Sequence, residues 1–208
     1  MLEVRSYRRL FVLLAVLGVA VDQGTKYGMF RWLHNAGQAV ESGRLRVWTD
    51  RGEVIRGDYE VVPGWFRFTA EFDAATPLCD CGFSGLQTFS APIMPRVNHG
   101  ALFGMGGQHK GWANYGFAAV SLLAAAGIVV WAMRKTASAD RWLSVALGLI
   151  LGGTVGNFYD RLVFGGVRDF LHFYWFEWPV FNVADCCLVV GAILLLLQAM
   201  FAPKQAAA

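Results

Sequence analysis

Residues 181–201, FNVADCCLVVGAILLLLQAMF, form an almost unbroken apolar run in which Asp185 is the one charged residue. A helix needs about 20 mostly apolar residues to cross a hydrocarbon core of about 30 Å, so this run is long enough for one span. Residues 10–30, 112–133 and 142–157 have the same apolar character. Because backbone groups in lipid must be satisfied within their own segment, we predict that all four windows are helices.

The third window, residues 142–157, is short for a span and rich in glycine. Gly148, Gly152 and Gly156 follow one another at four-residue spacing, which places them on one face of a helix. Small residues on one face allow a second helix to approach closely in a membrane. The spacing therefore predicts tight helix packing against this window.

The composition of the whole chain agrees with these windows. Hydrophobic residues make up 56% of the 208 residues and charged residues only 16%, which is too apolar for a soluble domain of this length. We therefore predict an all-α polytopic membrane protein with four transmembrane helices, organised as a single membrane-embedded domain over residues 1–208. No nucleic-acid partner is expected.

Basic residues flank the predicted spans in a way that indicates orientation. Lys and Arg beside a span are retained on the cytoplasmic side, and with four spans the three basic groups share one side. These groups are Arg5, Arg8 and Arg9, then Arg134, Lys135 and Arg141, and finally Lys204. Both termini are predicted to be cytoplasmic. The amino terminus also resembles a cleavable signal peptide, but the charge layout requires a retained first helix.

The segment at residues 36–96 differs from the spans, because it is polar, punctuated by glycine and contains strand-like runs such as 65–68. We predict a small extracytoplasmic β-rich domain there. Its aromatic side chains either lie in the headgroup layer or form the core of a small sheet. Cys79 and Cys81 either close a strained short-range disulfide or stay as two thiols.

Four aspartates stand within or at the edges of the predicted spans. An ionisable residue inside a span costs about 2.5–3.5 kcal/mol by insertion scales and marks a functional position by default. The predicted orientation brings all four near the outer membrane face. They are Asp22, Asp160, Asp169 and Asp185.

Two of these aspartates have simple structural interpretations. Asp22 precedes Lys26 by four residues, a spacing that suits an ion pair along one helix. Asp160 is followed by Arg161 and can form a salt bridge or a helix-end contact. The residues by themselves favour these structural interpretations over a catalytic role.

Asp169 and Asp185 stand beside strongly apolar stretches. They are either interfacial charges held in water or a catalytic pair. Two carboxylates in a site of low polarity share one proton at neutral pH. One can then take a proton from an attacking water while the other protonates the developing oxyanion, which is the chemistry of peptide hydrolysis. The sequence contains neither an HExxH zinc motif nor a GxSxG elbow, so metal-dependent and serine-elbow hydrolysis are not expected.

Five short motifs, taken in chain order, resemble the lipoprotein signal peptidase family, also called signal peptidase II or aspartyl peptidase family A8. Each motif is weak alone, but five in this order on four spans are highly specific. They are VDQGTK at 21–26, NHGALFG at 98–104, GNFYDR at 156–161, GGVRDF at 165–170 and FNVAD at 181–185. The resemblance covers roughly residues 7–68 and 96–202.

The resemblance implies a bacterial inner-membrane aspartic endopeptidase with an active site near the outer face. Its implied reaction removes the signal peptide from diacylglyceryl-modified prolipoproteins, just before the lipidated lipobox cysteine. Asp169 and Asp185 are implied as the catalytic pair, with no metal or organic cofactor. The implied partners are these prolipoproteins, membrane lipid and peptide antibiotics of the globomycin type. The residues implied to order the site or contact substrate are Asp22, Lys26, Asn98, Gly100, Asn157, Asp160, Arg161 and Asn182.

The sequence departs from the family pattern at two places. Leu102 stands where the family usually has a small residue, which predicts a narrower pocket or altered inhibitor fit. Residues at about 69–95 look like an insertion in the outer domain, either a tolerated surface elaboration or an element that shapes access to the cleft or binds a partner. Gly100 and Gly104 are expected to let the backbone approach substrate closely.

Two other functions fit the membrane aspartates without the family resemblance. The first is a small proton-coupled carrier in which the carboxylates relay ions. Carriers usually have more spans or internal repeats, and none is visible in this sequence. The second is a non-catalytic membrane assembly factor. Peptide cleavage in detergent separates the peptidase from both alternatives.

Overall fold

The computed structural model describes residues 6–39, 45–49, 52–73, 78, 82–100, 110–176 and 178–201. The predictions made for Cys79, Cys81, Leu102 and Gly104 fall outside these residues, as do Arg5 and Lys204.

The described chain consists of long helices interrupted by one antiparallel sheet. In chain order the elements are α1 (Arg8–Ala39), β1 (Leu45–Thr49), β2 (Gly52–Val62), β3 (Phe66–Asp73), α2 (Ser84–Ser90), β4 (Met94–Pro95), α3 (Lys110–Ala132), α4 (Lys135–Ala139), α5 (Arg141–Val163), β5 (Leu171–Phe173) and α6 (Val183–Phe201).

Four helices, α1, α3, α5 and α6, are long and apolar enough to cross a membrane, which confirms the four predicted spans. The predicted third span ended too early, because α5 has 23 residues and continues to Val163. The apolar pattern stops near Asn157, but the polar residues that follow are buried and bonded within the fold, so the helix does not end there.

The chain forms two compact units. The first comprises Met1–Asp22, Ala119–Asn157 and Val183–Ala208. Burial of apolar side chains from several helices stabilises this unit. Its core consists of Phe11, Ala15, Ala132, Ala137, Leu143, Leu147 and Leu151.

The glycine face of α5 packs closely against α1 within this first unit. A Cβ atom at Gly148 would lie 2.9 Å from the carbonyl oxygen of Phe11, and one at Gly152 would lie 3.0 Å from that of Ala15. Any larger residue would push the two backbones apart. The predicted role of the glycines in helix packing is confirmed.

The termini of several helices lie together at one end of the first unit. The Arg8 guanidinium donates to the carbonyl oxygen of Met133 at 2.7 Å, which joins the start of α1 to the end of α3. Asp140 accepts from the Leu143 backbone N–H at 3.0 Å and from the Gln198 side chain at 2.8 Å. The basic residues beside these helix ends therefore share one end of the unit, as the four-span arrangement predicts.

The second unit comprises Gln23–Ala118 and Phe158–Asn182 and contains the sheet. Strand β3 alternates Phe66, Phe68, Ala70 and Phe72 with polar residues, the period of a strand with two different faces. It pairs with β2 along one edge, and with β4 and β5 at opposite ends of its other edge. All strand pairs are antiparallel.

The predicted β-rich segment at residues 36–96 needs two corrections. Helix α1 continues to Ala39, and the sheet includes β5 (Leu171–Phe173) from far outside the segment. A strand of three residues has no periodicity to detect, and β5 exists because β3 supplies its hydrogen-bonding partner. The described residues therefore form a helical fold with an antiparallel sheet of five strands.

The region interpreted as an insertion, residues 69–95, supplies the end of β3, helix α2 and strand β4. Helix α2 is attached through a buried side chain, because the Gln87 amide donates to the carbonyl oxygen of Val163 at 2.6 Å. The described part of this region is thus packed into the second unit.

Candidate active site

Asp169 lies in an extended segment just before β5, and its two oxygens receive hydrogen bonds from two asparagines. Asn98 Nδ2 donates to Oδ2 at 3.0 Å, and Asn182 Nδ2 donates to Oδ1 at 2.6 Å. Asn182 is fully buried, whereas Asp169 is partly exposed. Two neutral amides therefore fix the orientation of a carboxylate whose residue is partly exposed.

The backbone holds Asn98 beside Asp169. Asn98 exchanges two backbone hydrogen bonds with Val167, at 2.7 and 2.9 Å, which forms an isolated antiparallel bridge. Its side-chain oxygen also accepts from the Gly100 N–H at 2.8 Å. The amide end of Asn98 is thereby turned toward Asp169, since its oxygen is already engaged.

Gly100 cannot be replaced without strain. Its φ of +76° lies in the left-handed region, and an added Cβ would come within 2.8 Å of the Phe117 ring. Only glycine tolerates both conditions. The predicted site residue Gly100 thus has a definite structural role, which is to let the backbone turn immediately after Asn98.

Asp185 belongs to the first unit and lies in the first turn of α6. Its Oδ1 accepts a hydrogen bond from Asn157 Nδ2 at 2.8 Å. A carboxylate in the first turn of a helix is stabilised by the partial positive charge of the helix amino terminus. Asp185, like Asp169, is therefore oriented by an asparagine amide.

Asp22 satisfies the amino terminus of α6 from a different helix. The side chain of Asp22 is fully buried, and its Oδ1 accepts from the Ala184 backbone N–H at 2.9 Å. The first N–H groups of a helix have no partner within the helix, so this contact acts as a cap supplied by α1. Asp22 therefore fixes the helix turn that carries Asp185.

Asp160 lies in a buried group of ionic side chains in the second unit. Its carboxylate receives the Arg168 guanidinium at 2.8 Å and lies 3.4 Å from Lys26 Nζ. Gln23 donates to Asp160 Oδ1 at 3.1 Å, and Arg168 Nη1 donates to Ser90 Oγ at 3.1 Å. We call Asp160, Lys26 and Arg168 the Asp160 cluster, and all three side chains are fully buried.

Aromatic rings enclose the Arg168 guanidinium. Its Cζ lies 3.8 Å from the ring centroid of Phe164 and 4.2 Å from that of Tyr27. The guanidinium plane can stack on rings while its edge donates hydrogen bonds, which suits burial better than a lysine ammonium. This arrangement holds the residue before Asp169 in a fixed position.

Arg161 occupies a separate place from this cluster. Its guanidinium lies over the Phe117 ring at 5.6 Å, and its backbone carbonyl accepts from Asn114 Nδ2 at 3.1 Å. The carboxylate of Asp160 instead pairs with Lys26 and Arg168.

The family described as Signal peptidase (SPase) II matches residues 85–201, more than half of the 208-residue chain. The chain belongs to the signal peptidase II family. Its relatives include the lipoprotein signal peptidase of Aeromonas hydrophila, which is 40% identical over 135 residues, 64% of this chain and 80% of the relative.

A second signal peptidase II relative is the lipoprotein signal peptidase of Vibrio cholerae serotype O1. It is 38% identical over 111 residues, which cover 52% of this chain and 64% of the relative. The match therefore spans less than two thirds of that relative's length.

Solved structures show the same fold. A bacterial membrane enzyme solved by the in meso method at 1.9 Å resolution has a TM-score of 0.60 and 22% identity, covering 93% of this chain and 94% of that one. A second, at 2.3 Å resolution, has a TM-score of 0.58 and 23% identity, covering 96% and 94%. Both likenesses show a shared fold despite low sequence identity.

Three further residues of this signal peptidase II family member carry contacts that the sequence analysis did not assign. Arg168 and Gln23 were quoted within motifs but given no role, and Ser90 was placed in the insertion. The sequence position of Arg168 could have indicated its role, because a charge in an apolar run needs a partner. Gln23 and Ser90 gave no such signal.

Proposed function

We propose that this chain is an aspartyl endopeptidase that removes the signal peptide from diacylglyceryl-modified prolipoproteins. The cut falls just before the lipidated cysteine. Membership of the signal peptidase II family supports the substrate class. The observation that carries the catalytic assignment is that asparagine amides orient both Asp169 and Asp185.

In the proposed reaction the two carboxylates act on one water and one peptide bond. One carboxylate takes a proton from the water as its oxygen attacks the scissile carbonyl. The other aspartate, which holds the proton that the pair shares, donates it to the developing oxyanion, and the proton taken from the water then passes to the leaving amine as the C–N bond breaks. The amides of Asn98, Asn182 and Asn157 keep the two carboxylates oriented through these steps.

The residues around the two catalytic aspartates hold different segments of the site in place. Asp22 caps α6 and so positions the turn that carries Asp185. Lys26, Asp160 and Arg168 anchor the segment that leads into Asp169. Gly100 turns the chain after Asn98, where its backbone is available to approach a bound peptide.

We place the protein in the bacterial inner membrane with both termini cytoplasmic and the active site near the outer face. Four apolar helices support a membrane protein, and the basic residues at one end of the first unit support this orientation. Along α6, Asp185 belongs to the first turn and Gln198 to the last, so Asp185 is far from that basic end. A lipid-anchored substrate then reaches the aspartates from within the bilayer.

Cleavage of a diacylglyceryl-modified prolipoprotein by the purified protein, followed as a mass shift, tests the proposal. Asp169→Asn and Asp185→Asn are each expected to reduce cleavage by about 100-fold to 10,000-fold or more, because asparagine cannot exchange the proton. A globomycin-type peptide antibiotic is expected to inhibit the parent.

Asp58→Asn is the matched control, because Asp58 is a partly exposed carboxylate paired with Arg56 on the sheet. It should retain full cleavage. Activity that survives Asp169→Asn or Asp185→Asn would overturn the catalytic pair. An inactive parent that carries protons or solutes into liposomes would instead favour the carrier.

A further inference from the structure

Helix α2 buries two polar side chains and exposes large apolar ones. Gln87 and Ser90 are 2% and 0% exposed, whereas Phe83, Leu86 and Phe89 are 43%, 41% and 59% exposed. The buried polar atoms are satisfied, since Gln87 donates to a backbone carbonyl and Ser90 accepts from Arg168. In water the apolar side chains would turn inward. The exposed face of α2 and its flanking Phe83 therefore suit contact with lipid.

The position of α2 along the bilayer follows from its neighbour on α1. Phe89 packs on Tyr27 with ring centroids 5.5 Å apart, and the Arg31 guanidinium lies 5.4 Å from the Phe89 ring centroid. Arg31 is in the last turns of the candidate span that ends at Asn35. Arginine near the end of a span extends its charge toward the lipid headgroups. Helix α2 therefore lies at headgroup level.

A groove of about 450 Å³ opens between α1 and the α2 region. We call it the α2 groove. It is lined by Arg31, His34 and Asn35 from α1, by Thr88 and Phe89 from α2, and by Pro92 beyond it, and none of its described lining residues carries a carboxylate. The Arg31 guanidinium, with no carboxylate among the described lining residues, is complementary to an anionic headgroup. The exposed aromatic rings beside the groove are complementary to an acyl chain.

We propose that the α2 groove binds the phosphate of an anionic membrane phospholipid. Arg31 pairs with the phosphodiester, and an acyl chain lies along Phe83, Leu86 and Phe89. Arginine binds phosphate through parallel N–H donors, which gives the site geometric specificity as well as charge. The inserted region then acts as a lipid-binding element, independent of whether the two aspartates cleave a peptide.

Native mass spectrometry of the full chain in neutral detergent, titrated with phosphatidylglycerol, measures this binding. Arg31→Gln is expected to weaken the tightest phosphatidylglycerol site about fivefold, the effect of one basic residue near an anionic surface. Arg31→Lys should weaken the site less than Arg31→Gln, because lysine keeps the charge but loses the parallel donors. Arg56→Gln is the matched control, because Arg56 is a cation of the same unit that pairs with Asp58 on the sheet.

Phe89→Ser gives a second, charge-neutral test and should also weaken the site, because it removes the ring beneath the guanidinium. Unchanged phosphatidylglycerol affinity in both Arg31→Gln and Phe89→Ser would overturn the proposal. Inorganic phosphate that competes as well as the lipid would show a free-anion site and would overturn the lipid assignment. Arg31 is exposed, so its variants are expected to unfold at the same temperature as the parent without added lipid.

Discussion

Asp160 and Asp169 are nine residues apart in one unit, yet their surroundings differ. The carboxylate of Asp160 is fully buried against Lys26 and Arg168. The carboxylate of Asp169 is partly exposed and receives the amides of Asn98 and Asn182. Cations neutralise a carboxylate and fix its charge, whereas neutral amides fix only its direction. The first environment suits a structural anchor and the second suits a group that exchanges protons.

The largest expected difference between these two aspartates is in stability. Asp160→Asn leaves the buried Lys26 and Arg168 without their carboxylate and is expected to lower the free energy of unfolding by about 3–5 kcal/mol. Asp169→Asn should lower it by only about 1 kcal/mol, since the new amide keeps one acceptor oxygen and loses one of the two asparagine hydrogen bonds. Unfolding in detergent measures both variants.

A double variant checks the electrostatic reason for that loss. Adding Lys26→Met to Asp160→Asn removes one of the two uncompensated cations and should restore part of the stability. Equal losses for the Asp160 and Asp169 variants would show that the two environments do not differ as described.

The amides around Asp169 give the next largest effect. Asn98→Ala and Asn182→Ala are each expected to lower kcat for prolipoprotein cleavage by about 100-fold, because a carboxylate misplaced by about 1 Å loses its alignment with the water. KM should change little. Gln198→Ala is the control, since the Gln198 amide also donates to a carboxylate, that of Asp140, but lies at the opposite end of α6 from Asp185. A change confined to KM would contradict an orienting role.

Arg168→Lys separates geometry from charge in the Asp160 cluster. Lysine keeps the positive charge but loses the forked donors and the ring stacking, so a loss of about 1.5–3 kcal/mol in unfolding free energy is expected. Arg67→Lys is the control, because Arg67 also lies over a ring, at 4.6 Å from Tyr174, but is partly exposed. If both substitutions lower the unfolding free energy equally, burial and the forked guanidinium donors do not explain why residue 168 is an arginine.

The smallest effect concerns the sheet. Burial lowers the pKa of His172 below its usual 6.5, and the charges of Arg67 and Arg56 lower it further. As pH falls, His172 therefore takes up a proton in the unfolded chain before it does so in the folded chain. The contribution of His172 to stability is complete above about pH 6.5 and declines below it. His172→Gln should reduce the dependence of the unfolding free energy on pH below about pH 6.5. A profile identical to the parent would remove His172 as the cause.

The sequence predicted the four spans because an apolar run of sufficient length has one common outcome in lipid. It also predicted the glycine packing, since the spacing of Gly148 and Gly152 places both on one helix face. It missed β5 and the last residues of α5, because a short strand and a polar helix end depend on partners distant in the chain.

The sequence by itself determined the membrane class and the candidate aspartates, because hydropathy and motif order are properties of the chain. Only the tertiary structure decided what each aspartate does locally. Asp22 caps α6 from 162 residues away, and Asp160 pairs with Arg168 rather than standing with Arg161 alone. A carboxylate's role depends on which donors surround it, and those donors come from segments that folding brings together.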